Sequence, residues 1–177
     1  MLASAHKMKD DKDYCQLDYL KVDINKYCKL YLEELKEVVM WGDFDCLAHF
    51  DLPRRYAANA GVKLPLMEYT EQVEEVLKLL IYKGKGLEIN TSGLRQQAKT
   101  CLPDLDILTL YKQLGGEILT IGSDAHSTGD LGKGIVEAIE MAKLAGFRYV
   151  NLFDKRVPKW VGISEKASFY SAPVKLS

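Results

Sequence analysis

The chain alternates between short apolar runs and longer stretches whose apolar residues recur every three or four positions. A short apolar run bounded by turn residues suits a strand covered on both faces, whereas the longer spacing suits a helix with one face covered. "MLASA" (1–5) is a short candidate strand, and "DINKYCKLYLEELKEVVMW" (23–41) then places Ile24, Tyr27, Tyr31, Leu35 and Val38 on one helical face, with Asp23 as the N-cap. "DCLAHF" (45–50) predicts a second strand. "YTEQVEEVLKLLIYKG" (69–84) predicts a helix started by Thr70 and stopped by Gly84, with Val73, Val76, Leu77 and Leu80 inward. "GLEIN" (86–90) precedes a helix near 104–114 that ends at Gly115, "EILTIG" (117–122) precedes one near 133–145 that ends at Gly146, and "RYVNLF" (148–153) closes the series. Five strands alternating with four helices predict an α/β fold with a parallel sheet, either open and doubly wound or closed as a barrel. No stretch is long and polar enough to act as a linker, so residues 1–177 are expected to form a single domain.

Composition narrows the partners. Twenty-four basic residues stand against 25 acidic ones, with no basic stripe, which leaves no electrostatic footprint for nucleic acid or an anionic membrane surface. A small molecule is the expected partner. The four cysteines fall in no paired spacing and are expected to be reduced; with no signal-peptide pattern and no run of 18 apolar residues, a soluble protein of the cytoplasm is expected.

The chemistry-bearing residues share one feature of placement. His6 follows the first predicted strand, His49 lies near the end of the second, Glu88 and Asn90 are in the third, and Asp124 and His126 follow the fourth. All fall toward carboxyl ends of strands, the edge at which parallel α/β folds assemble sites from several strands. An acid and an imidazole one residue apart at that edge can share a cleft in which a divalent cation neutralises the carboxylate and takes the imidazole lone pair. Glu88 is expected to pair with a nearby Lys or Arg, Asn90 either closes its strand in an Asx turn or touches substrate, and Asp51 either orients His49 or pairs with Arg54.

The stretches "CLAHFDLPRRY", "GLEINTSGLRQ" and "TIGSDAHSTGDLG", with "SAH" near the start, resemble the polymerase and histidinol phosphatase superfamily, specifically its histidinol-phosphatase branch. The resemblance runs over nearly the whole chain, with the motifs in the family's order. It implies a distorted (β/α)7 TIM-like barrel, two or three divalent ions such as Zn, Mn or Fe, and hydrolysis of L-histidinol phosphate to L-histidinol and phosphate in histidine biosynthesis. It also implies metal-ligand places for His6, His49, Asp124 and His126, with catalytic roles for the last two, and makes Arg54 or Arg55 and Arg95 candidates for holding the substrate phosphate. A guanidinium offers a planar fork suited to two phosphate oxygens. The family's opening H-x-H strand, a further histidine and a bridging glutamate, which precede "SAH", have no counterpart here. The five predicted strands therefore resemble the last two thirds of the barrel, with about two strand-helix units absent. Open barrel edges in such a piece are expected to drive self-association. The alternatives are a catalytically silent module and a hydrolase of another phosphate ester.

Overall fold

The computed structural model describes residues 1–8 and 12–163. Strands β1 (Leu2–Ala3), β2 (Cys46–Leu47), β3 (Gly86–Asn90) and β4 (Leu119–Gly122) form a parallel sheet in the order β1-β2-β3-β4. The helices are α1 (Ile24–Trp41), α2 (Pro53–Asn59), α3 (Thr70–Tyr82), α4 (Leu105–Gln113) and α5 (Ile135–Leu144). Strand order follows chain order without reversal, and α1 packs on α3, α3 on α4 and α4 on α5. An open doubly wound sheet instead reverses its strand order at a switch point.

The local signals act as the sequence predicts. The Asp23 carboxylate accepts a hydrogen bond from the Lys26 amide and so satisfies one of the free N–H groups at the start of α1. Gly42, Gly84, Gly115 and Gly146 all take positive φ just past helix ends, where a side chain would be strained. In α3, Val73, Val76, Leu77 and Leu80 are all buried against the core. At about 2 kcal/mol per fully buried aliphatic side chain, this stripe is the main reason the helix stands.

Three expectations are corrected. The buried stripe of α1 is Cys28, Tyr31, Leu32, Leu35 and Val39, while Ile24, Tyr27 and Val38 are only partly covered at its margin. Tyr31 fixes this rotation, because its hydroxyl donates to the Phe50 carbonyl at 2.9 Å. A fifth helix, α2, was not expected; Pro53 opens it, its missing N–H being no loss in a first helical turn. The fifth predicted strand is β5 (Tyr149–Asp154), but it does not extend the parallel ladder. It pairs antiparallel with β6 (Val157–Gly162). Lys155 and Arg156 make the connecting turn, both at positive φ as the tightest hairpins require. The hairpin meets β4 through a side chain: the Asn151 carboxamide oxygen accepts the Leu119 amide at 2.8 Å, in place of a backbone acceptor.

Candidate functional site

The carboxyl ends of β2, β3 and β4 converge, and each is followed within two residues by a polar one: His49, Thr91 and Ser123. After β2 the chain bends at His49 (φ 30°), and after β4 it bends at Asp124 (φ 48°). Left-handed backbone is uncommon for non-glycine residues and collects at functional sites.

His49 is buried, and its ring meets that of His6 edge-on, with centroids 5.1 Å apart. Burial lowers its pKa to about 4, with help from His6 and Arg55 and against the pull of Asp124. The imidazole is thus neutral near pH 7, the state in which a ring nitrogen can donate its lone pair, and its Nδ1 is buried without a hydrogen-bond partner.

Glu88 departs from the expectation of a paired strand carboxylate. It is buried, and its partners are the His49 amide and the Asn90 side-chain amide, each at 3.3 Å. Burial pushes its carboxyl above the usual range, with the two hydrogen bonds acting against it. Gly122 makes the room, since a Cβ there would lie 2.3 Å from Glu88 Oε1. A carboxylate inside an otherwise apolar strand was the sequence signal for this residue, and only the missing side chain across the ladder shows that it turns inward.

Asn90 closes its strand as an Asx turn. Its Oδ1 accepts from the Ser92 amide at 3.0 Å and from the Ser92 hydroxyl at 2.6 Å. The amide is already engaged by the protein, so the substrate-contact alternative is not the one this geometry favours.

The two neighbouring arginines separate. Arg54 points its Nε at Asp51 (2.6 Å) and its Nη1 at Asp104 (2.8 Å), which ties the start of α2 to the start of α4. Asp51 is fully buried and also accepts the Asp104 amide at 3.2 Å, so it serves this bridge and not His49. Arg54 is thus engaged by two carboxylates and does not line the cleft that Arg55 enters. Arg55 reaches the other way: Nη1 lies 3.4 Å from Asp124 Oδ2 and 3.5 Å from the Ser92 hydroxyl, Nη2 donates to the Tyr56 hydroxyl at 2.9 Å, and the guanidinium sits 4.9 Å from the Tyr56 ring centre. Arg95 Nη2 donates to the Ser123 carbonyl at 2.7 Å, and its Nε lies 3.6 Å from Asp130. Arg55 Nε and Arg95 Nη1 are buried donors without partners among the described residues.

Both arginines line an open cleft of about 590 Å³ with Tyr56, Asn59, Ser92, Gln96, Asp124, His126 and Asp130. Burial acts to raise the Asp124 carboxyl, but Arg55, Ser92 and the histidines outweigh it and hold the group below the usual range. His126 stands at the rim, its side chain 85% exposed and its Nδ1 2.9 Å from the Asp124 carbonyl. The four predicted ligands thus come as two pairs, His6 with His49 and Asp124 with His126. Among the described residues, no three His, Cys, Asp or Glu side chains close around a common point. The donor set still suits a borderline cation: a neutral imidazole with a buried free nitrogen, a second imidazole beside it and an ionised carboxylate.

No protein-family model matches the chain. A Thermotoga maritima protein named "Probable histidinol-phosphatase" is 36% identical over 149 residues, covering 79% of this chain and 61% of that protein. The histidinol-phosphatase of Lactococcus lactis is 30% identical over 155 residues, covering 86% of this chain and 57% of that protein. The crystal structure of a Lactococcus lactis histidinol phosphate phosphatase, complexed with zinc, L-histidinol and phosphate, superposes with a TM-score of 0.71 at 25% identity, over 89% of this chain and 60% of that one. The chain spans about three fifths of the length of these relatives. Sequence and backbone agree along the stretch that is matched, and over that stretch the chain is similar to histidinol-phosphatases.

Proposed function

We propose that this chain carries the phosphate-holding face and part of the metal site of a phosphomonoester hydrolase acting on L-histidinol phosphate. The observation that carries this is the pair of guanidinium groups, Arg55 and Arg95, each with a buried unpartnered donor, on either side of Asp124 in one open cleft. Buried donors without partners favour an anion arriving from solvent, and two planar forks suit the oxygens of a phosphoryl group. Tyr56 holds Arg55 by a hydrogen bond and by its ring face, so the guanidinium is oriented before substrate arrives.

In this reading His6, His49, Asp124 and His126 hold divalent ions, with zinc, manganese or iron as candidates and Glu88 beside His49 as a further carboxylate. A bound ion would supply Lewis-acid stabilisation of phosphoryl charge and a water acidified enough to attack near pH 7. Asp124 and His126, at the cleft's centre and rim, are the groups placed to hold and move protons on the reacting oxygens. The unreversed strand order and sequential helix packing support a TIM-like barrel of which this chain contributes four parallel strands. The cytoplasm is the proposed location, consistent with four free cysteines; no helix among the described residues is long and apolar enough to cross a membrane.

Metal analysis tests this reading. Chelator-treated protein reloaded with zinc or manganese should retain the ion, and a His49→Ala, His126→Ala double variant should lose most of it; equal retention would refute the ligand assignment. Phosphate release from L-histidinol phosphate tests the substrate. We also propose self-association, since among the described residues β1 pairs only with β2 and Leu2, Leu152, Val157 and Trp160 are exposed. Light scattering should show mass rising with concentration, and a constant monomer mass would exclude it.

A further inference from the structure

The cleft contains an acceptor that the phosphate cannot use. Gln96 lines it next to Arg95, and its side-chain Oε1 is buried without a hydrogen-bond partner among the described residues. The residue is held in place by its backbone, with its amide on the Gly93 carbonyl at 3.1 Å and its carbonyl accepting from Lys99 at 3.2 Å. The two carboxylates of the wall are engaged: Asp130 by Lys133, Ser127 and Arg95, and Asp124 by Arg55. Arg55 Nε and Arg95 Nη1 call for an anion, whereas Gln96 Oε1 calls for a proton donor.

Resting on the phosphatase reading above, we propose that Gln96 determines specificity for the leaving alcohol by accepting a hydrogen bond from one of its N–H groups. A phosphate ester bearing an ammonium or imidazole satisfies both halves of the wall. One without such a donor leaves the amide oxygen buried and unpaired, and a site built to accept a hydrogen bond discriminates most strongly against that kind of analogue. The Asp130 carboxylate at the same wall adds a favourable field for a cationic alcohol portion.

The test is calorimetric binding of L-histidinol phosphate and of propyl phosphate to the full chain, chelator-treated so that the esters stay intact, in wild type and Gln96→Met. Wild type should prefer the nitrogen-bearing ester. Gln96→Met should weaken that ester by about tenfold and leave propyl phosphate within about twofold. Its melting temperature should hold or rise, because an apolar isostere replaces an unpartnered polar atom; a merely structural glutamine would lower it. An equal loss on both esters, no loss on either, or a wild type without preference would overturn the assignment of Gln96 and leave the phosphate cleft standing. A wild type that binds neither ester would overturn the phosphatase reading and this inference with it.

Discussion

Strand β3 and hairpin β5–β6 are neighbours of the same strand β4, yet all five residues of β3 are buried, while β5 buries only Asn151 and β6 buries none. A central parallel strand has a partner on each edge and a layer on each face, so every side chain leaves water. The hairpin satisfies its own backbone internally and needs little from the sheet beyond one carboxamide on Leu119. The candidate chemistry extends from the parallel sheet, at the ends of β1, β2, β3 and β4, where packing fixes direction. The contrast teaches that burial on both faces, more than strand length, marks the part of this sheet able to position a site.

The contrast can be attacked at its strongest point by deleting equivalent side chains in the two halves. Leu77→Ala, in the fully buried stripe of α3 behind the sheet, should cost about 3 kcal/mol of unfolding free energy, and Leu152→Ala in β5, where the residue is 63% exposed, about 0.5 kcal/mol or less. Denaturant titration measures both, and similar losses would dissolve the distinction.

Within the buried half, the two arginines should respond in opposite ways. Arg54→Ala removes the cation facing the fully buried Asp51 and should destabilise the fold by about 3 kcal/mol. Phosphate affinity of the folded fraction should be little changed. Arg55→Ala should lose less stability and most of the phosphate binding seen by calorimetry. A reversed pattern would move the phosphate site to the other side of α2.

A smaller effect is expected where the two halves join. Asn151→Ala leaves the Leu119 amide without its acceptor and should cost about 1 to 2 kcal/mol, read as faster hydrogen exchange at Leu119 and through residues 149–162 while β3 stays protected. Loss of protection in β3 as well would show that the hairpin is not a separate layer.

Legibility in the sequence followed the range of the forces involved. The four inward residues of α3, the bounds of β3 and the cap at Asp23 were readable because each depends on residues within a turn or two of one another. For the candidate site, strand-end placement of His6, His49, Asp124 and His126 was readable, since alternation alone locates carboxyl ends. The rotation of α1 was not, because the Tyr31 hydroxyl takes its acceptor from Phe50, 19 residues away. Nor was the fate of "RYVNLF", whose period fits any buried strand but whose partner depends on a turn at Lys155 and Arg156.

By itself, then, the sequence determined the alternating elements, the edge at which the candidate chemistry gathers and the motifs that resemble histidinol-phosphatases, all carried by local spacing and residue type. Only the tertiary structure decided which of Arg54 and Arg55 meets the cleft, that Glu88 is buried against the amides of His49 and Asn90, and that Gln96 holds an acceptor unused among the described residues. Adjacent residues have the same spacing to every motif, and they are told apart by where α2 starts and by what Asp51, Asp104 and Gly122 bring from distant parts of the chain. The physical reason is that a charge or an amide is assigned by its partners in space, within about 3 Å, and sequence distance does not measure that.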